Sequence, residues 1–131
     1  MKFLQIKTKI AKELYRVVDK TNARVLDMCC GVGMSTHALS STFKDAEVVL
    51  GIDTSPEMIS MARSISDHIR GINGFLRTYK PNKFLKRVLQ DILKIHGLKM
   101  YEESDCKTKF ARGNAERLKL PKKSFDLVTI M

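Results

Sequence analysis

The chain lacks what would mark a disulfide framework, a metal centre or a membrane span. It has three cysteines in 131 residues, Cys29, Cys30 and Cys106, an odd number with two adjacent. That pattern implies no disulfide framework and fits a reducing compartment. No CxxC and no Cys/His cluster accompanies the adjacent pair, so no zinc site is expected. No apolar run reaches the ~18 residues that a membrane helix needs. The N-terminus interleaves Lys2, Lys7, Lys9 and Lys12 with Phe3, Ile6 and Ile10. It lacks the unbroken apolar stretch of a secretory signal. The first acid is Glu13, so organelle targeting stays open beside the plainer cytoplasmic reading. No GK[ST] follows a Gly-rich turn, which excludes a nucleoside triphosphate loop. GxGxxG is absent too: read from Gly31, the template finds Gly33 and then Thr36 in third place.

Two apolar runs that each end in a carboxylate are present. Residues 25–33 read VLDMCCGVG, and 50–53 read LGID. Asp27 closes the first run ahead of a turn with Gly31 and Gly33; Asp53 closes the second. This layout is that of a βαβ unit that binds an adenosine ligand. Glycines let the backbone come close to such a ligand, and the second acid can accept from ribose hydroxyls. Periodicity predicts a helix over 3–19, strands over 24–28, 47–52, 108–113 and 125–131, and helices over 34–43 and 56–68. Ser55 is suited to cap the last of these and Pro56 to begin it. Alternating strands and helices imply a parallel sheet with right-handed crossovers.

VLDMCCGVG resembles motif I of the class I S-adenosylmethionine-dependent methyltransferases. GIDTSPEMISMAR at 51–63 and FARGNAERLKLPKKSFDLVTIM at 110–131 resemble the family's later motifs, in the right order. The closest likeness is to the broad small-molecule, type 11-like branch. The resemblance implies an α/β, Rossmann-like doubly wound parallel sheet and S-adenosylmethionine as methyl donor. A carboxylate beside the turn suits that ligand's ammonium and sulfonium, where it would repel a pyrophosphate. Carried over by position, Asp27 holds the methionine ammonium, directly or through water. Backbone at Cys29, Gly31 and Gly33 approaches the methionine part. Asp53 accepts from the ribose, Thr54 and Met58 border the adenine, and Asn114 and Ala115 meet its edge. Asp126 is expected to be structural. Cys29 stands where the family has its first glycine; a positive φ there would cost it ~1 kcal/mol. Asn114 stands where an Asp is common, and keeps an acceptor oxygen.

The family sheet has seven strands, and this sequence supplies the first four in its order 3-2-1-4. The fold is therefore expected to be truncated after strand 4, with residues 1–131 a partial domain. Leu127, Val128, Ile130 and Met131 would leave an apolar edge that invites a partner to complete the sheet. No catalytic residue is assigned, because the acceptor side of the family lies beyond strand 4. Two functions stay open. One is a methyltransferase for an unidentified small-molecule acceptor. The other is a catalytically incomplete donor-binding half-domain that needs a partner or the remaining half. A dehydrogenase shares the topology but is opposed by Asp27 and Thr36.

The domain divides into an N-terminal helix (1–22), a donor-binding core (23–69 and 108–131) and an insert (70–107). Within the insert, Asn82–His96 reads as an amphipathic helix with a stripe of Phe84, Leu85, Val88, Leu89, Ile92 and Leu93. The insert is basic and adds to a formal net charge of +10. Its functional reading is contact with nucleic acid or an anionic membrane; the plainer reading, preferred here, is a solvated helix face. His37 is expected at the surface or just behind the ligand, and His68 and His96 on exposed helix.

Overall fold

The computed structural model describes residues 2–79, 82–84, 87 and 107–131. Helix α1 (Lys2–Val18) leads into strand β1 (Arg24–Met28), helix α2 (Met34–Thr42), strand β2 (Val48–Asp53) and helix α3 (Pro56–Tyr79). Strand β3 (Thr108–Arg112), a 3-10 turn (Ala115–Arg117) and strand β4 (Leu127–Thr129) follow. The four strands are parallel in the order β3-β2-β1-β4. This is the order expected from the motifs.

Alternation along the strands decides which side chains meet the helices. Val25 and Asp27 of β1, Val49 of β2, and Thr108 and Phe110 of β3 are all buried. One core cluster joins Ala11 of α1, Val25, Leu39 of α2, Phe43 and Val49, with Leu14, Val18, Leu127 and Met131 against it. Burying Leu39 or Phe43 contributes about 1.5–3 kcal/mol each. A second cluster, Cys30, Ile59, Ala62 and Phe110, lies under the donor turn. The aromatic edge of Tyr15 meets Phe43 at 5.1 Å between centroids and anchors α1 on α2.

Several boundaries differ from those expected. Helix α3 does not stop near residue 68 but continues to Tyr79, into the stretch assigned to the insert. Gly71 and Gly74 weaken a helix by about 1 kcal/mol each without ending it. Strand β2 runs one residue further, so Asp53 is its last member. Strand β4 is shorter than expected; just before it, Asp126 N donates to Arg24 O at 2.8 Å and its side chain takes the return bond. Its Oδ2 accepts from Arg24 N at 2.8 Å and its Oδ1 from Lys20 Nζ at 2.6 Å. The Lys20 ammonium holds this carboxyl below its usual range. The role is structural, as expected. The amphipathic helix expected over Asn82–His96 lies largely outside the described residues, as do Cys106 and His96. No helix among the described residues is long and apolar enough to cross a membrane.

Candidate donor-binding site

Three loops at the carboxyl ends of β1, β2 and β3 converge on Asp53. Gly31 N donates to its Oδ2 at 2.9 Å and Ser55 N to its Oδ1 at 2.9 Å. Gly113 N donates to its main-chain oxygen at 3.0 Å. Cys30 N donates to Ile52 O at 2.9 Å and ties the first turn to β2 again. The carboxylate of Asp53 thus sets the turn after β1 against the start of α3, and its main-chain oxygen holds the loop that carries Asn114.

The turn itself is left-handed at three places. Cys29 has φ 57°, Gly31 φ 56° and Gly33 φ 93°. Cys29 therefore carries the backbone cost of ~1 kcal/mol that a side chain meets in this region. The cysteine is exposed, while its neighbour Cys30 is buried. Burial, first, and then the charges of Asp27 and Asp53 push the Cys30 thiol up to about 12. A thiol held that firmly protonated is a poor nucleophile, which supports a packing role. No group of three or more potential ligands that could hold a metal occurs among the described residues.

Asp27 is fully buried. Its Oδ2 accepts from Ser35 Oγ and Thr36 Oγ1, both at 2.7 Å. Its Oδ1 is buried with no hydrogen-bond partner. Burial raises its pKa, against the lowering effect of the two hydroxyls and of the Lys7 charge. A half-satisfied buried carboxylate is costly. Such a group calls for an explanation, and a cationic ligand or its bound water is one.

After β2, Thr54 and Met58 are exposed. Ser55 caps α3 as expected: its Oγ accepts from Met58 N at 3.2 Å and donates to Glu57 at 2.9 Å. Asn114 Oδ1 accepts from Glu116 N at 2.9 Å and so caps the 3-10 turn that begins at Ala115. The amide oxygen has a second lone pair, and the side chain remains exposed.

The structure adds residues that sequence reasoning missed. Ser35 and Thr36 hold Asp27; their signal was two hydroxyls in the first turn of the helix beside a buried acid. Arg112 Nε donates to Thr54 O at 3.2 Å and braces the β2–α3 turn. Phe110 is the most consequential, because its ring lies against both Gly33 and Gly51.

His37 corrects the expectation of a surface position. It is 1% exposed, and its Nε2 lies 3.0 Å from Ser66 Oγ, linking α2 to α3. Burial, with the Arg70 charge second, lowers its pKa to about 4. The folded chain holds it neutral, whereas the unfolded chain protonates it near pH 6.5. Its contribution is therefore complete above pH 6.5 and is lost as pH falls toward 4. The expected loss is about 3 kcal/mol of folding stability. Urea unfolding at pH 7.5 and pH 4.5 checks this against His37→Gln, which should lose that much less between the two pH values. His68 is exposed, as expected.

Residues 25–84 match the family described as a methyltransferase domain. Demethylmenaquinone methyltransferase of Lactococcus lactis subsp. lactis (strain IL1403) is 29% identical over 120 residues, covering 92% of this chain and 34% of that protein. Trans-aconitate 2-methyltransferase of Methylobacterium nodulans is 42% identical over 64 residues, covering 48% of this chain and 24% of that protein. The trans-aconitate 2-methyltransferase of Azoarcus sp. is 35% identical over 82 residues, 62% of this chain and 32% of that one. Among solved structures, the YcgJ protein of Bacillus subtilis matches with a TM-score of 0.54 at 19% identity, covering 96% of this chain and 37% of that one. That likeness supports the fold alone. The chain spans about a third or less of the length of the curated relatives it matches.

Proposed function

We propose that this chain, whose residues 25–84 match the methyltransferase-domain family, is the donor-binding part of a class I S-adenosylmethionine-dependent enzyme with a small-molecule acceptor. The observation that carries the reading is the convergence of three loops on Asp53, beside a buried Asp27 with one unpaired oxygen. When bound, the donor supplies a methyl group on a sulfonium, open to displacement by a nucleophile of the acceptor. Asp53 would receive the ribose hydroxyls on the lone pairs its two backbone donors leave free. Asp27 would act on the methionine ammonium directly or through a water. Backbone at Cys29, Gly31 and Gly33 would line the methionine part. Thr54, Met58, Asn114 and Ala115 would border the adenine. What the protein contributes is alignment of the methyl with its acceptor.

The small-molecule class is supported by the relatives, whose names give demethylmenaquinone and trans-aconitate as acceptors. A second reading, a donor-binding half-domain that needs further strands from a partner or a longer chain, is favoured by β4. It is the last strand of the described sheet, and Val128 and the following Ile130 are exposed.

Calorimetric titration of the 131-residue chain with S-adenosylmethionine and S-adenosylhomocysteine, with NAD as control, tests the proposal. Saturable micromolar binding of the first two and none of NAD is expected. Binding of NAD, or no donor binding by a cooperatively melting chain, overturns it. Asp27→Asn sharpens the test. Because burial raises the Asp27 pKa, the folded state is penalised as pH rises above the unfolded value of 3.8. The neutral amide removes that penalty, so the ligand-free chain should gain stability near pH 7. Donor affinity should fall at least about tenfold, since the charge facing the ammonium is gone. Thermal melting and the same titration read both effects.

A further inference from the structure

We infer that α1 is an interfacial helix that docks this protein on an anionic lipid surface. Two apolar stripes run along it. Ala11, Leu14 and Val18 face the core. Ile6, Ile10 and Val17 form a second stripe, and they are 53%, 42% and 81% exposed. At 100° per residue these three fall within one narrow arc beside the core face. The helix thus carries more apolar surface than its contact with α2 uses.

The flank of that stripe is basic. Past Glu13, Lys9 and Arg16 lie along it with Lys12 further round, all exposed. In the whole of Lys2–Val18 there is one acid, Glu13, and Arg16 pairs with it at 3.1 Å. Aliphatic side chains bordered by cations match the acyl boundary and headgroups of an anionic bilayer. A nucleic acid would meet the cations but leave the aliphatic stripe unpartnered.

The position of α1 gives the contact a consequence. Lys7 Nζ donates to Met131 O at 3.3 Å, and its charge acts on Asp27. The first half of α1 therefore lies at the carboxyl ends of β1 and β4. A docked α1 would hold that end of the sheet at the lipid boundary. That it would serve a lipid-soluble acceptor rests on the methyltransferase reading; the docking itself does not.

Flotation of the full chain with vesicles of phosphatidylcholine and phosphatidylglycerol, against pure phosphatidylcholine, tests this without any donor present. Anionic vesicles should bind at least about tenfold more strongly. Ile6→Ser with Val17→Ser leaves the charge unchanged and should lower anionic binding by about tenfold or more. Lys9→Gln and Lys12→Gln should each lower it about fivefold. Equal partition to both vesicle types, or full binding by the double serine variant, overturns the inference. The second outcome would show adsorption of a polycation, as would binding that excess single-stranded RNA abolishes in parent and serine variant alike. Both serine sites are exposed, and melting temperature confirms that the variants fold. A failure here leaves the donor titration untouched, and the reverse also holds.

Discussion

Gly33→Ala is expected to cost about 2–5 kcal/mol, a large share of the 5–15 kcal/mol that stabilises a typical domain. Two costs combine. At φ 93° an L side chain is strained whatever the surrounding space. A Cβ would also lie 2.6 Å from Phe110 Cζ and 2.8 Å from Cε1. Phe110 has nowhere to retreat. It is buried with Cys30, Ile59 and Ala62, and its ring also fills the space beside Gly51, where a Cβ would meet it at 2.8 Å. The tilted His37 ring stands 5.6 Å away. Gly31→Ala is the control. Its φ of 56° brings backbone strain, but a Cβ there would meet nothing within 4 Å, so about 1 kcal/mol is expected. Urea unfolding of both variants separates strain from collision. Equal losses would mean that the contact with Phe110 is not decisive. Phe110→Leu should rescue part of the Gly33→Ala loss while leaving Gly31→Ala unimproved, because only the first pair shares a contact.

That packing marks the limit of what could be read from the chain. Strand β1 was legible at both ends, since Arg24–Met28 is a short apolar run closed by an acid and a turn. The parallel order β3-β2-β1-β4 followed from three motifs in sequence. Ser55 and Pro56 were legible because capping is a local affair among neighbours. The positive φ of Cys29 was stated as a condition, and the structure meets it. What failed was whatever depends on residues distant in sequence. Phe110 reads as one more apolar strand residue until β3 lies beside β2 and its ring meets two glycines. His37 reads as a polar helix residue until Ser66 arrives from the next helix. Tyr79 reads as insert because the helix was expected to end near residue 68, whereas the two glycines beyond that point only weaken a helix. The two carboxylates were singled out as candidate donor ligands, but the network that holds each of them was not read. Residue type reveals chemistry; its support comes from the fold.

Asp53→Ala should weaken binding of S-adenosylmethionine at least about a hundredfold. Hydrogen bonds to a charged acceptor contribute about 1.5–3 kcal/mol each, and two ribose hydroxyls are at stake. The same carboxylate accepts from Gly31 N and Ser55 N. The substitution therefore also leaves two backbone donors without their acceptor and should lower the stability of the free chain by about 2 kcal/mol. These two effects can be told apart with a donor that lacks the ribose 2′-hydroxyl. If Asp53 receives that hydroxyl, the parent should bind the deoxy donor about tenfold or more weakly than S-adenosylmethionine. Asp53→Ala should bind the two alike, because the partner of the missing group is already gone. If Asp53→Ala lowers the melting temperature yet leaves donor affinity unchanged, Asp53 is a tie between loops and the ribose lies elsewhere. If both ligands weaken in parallel and the deoxy penalty survives the substitution, the loss comes from a loosened turn. Only loss of the penalty itself assigns the hydroxyl to this carboxylate, since a deformed turn would weaken both donors by the same factor.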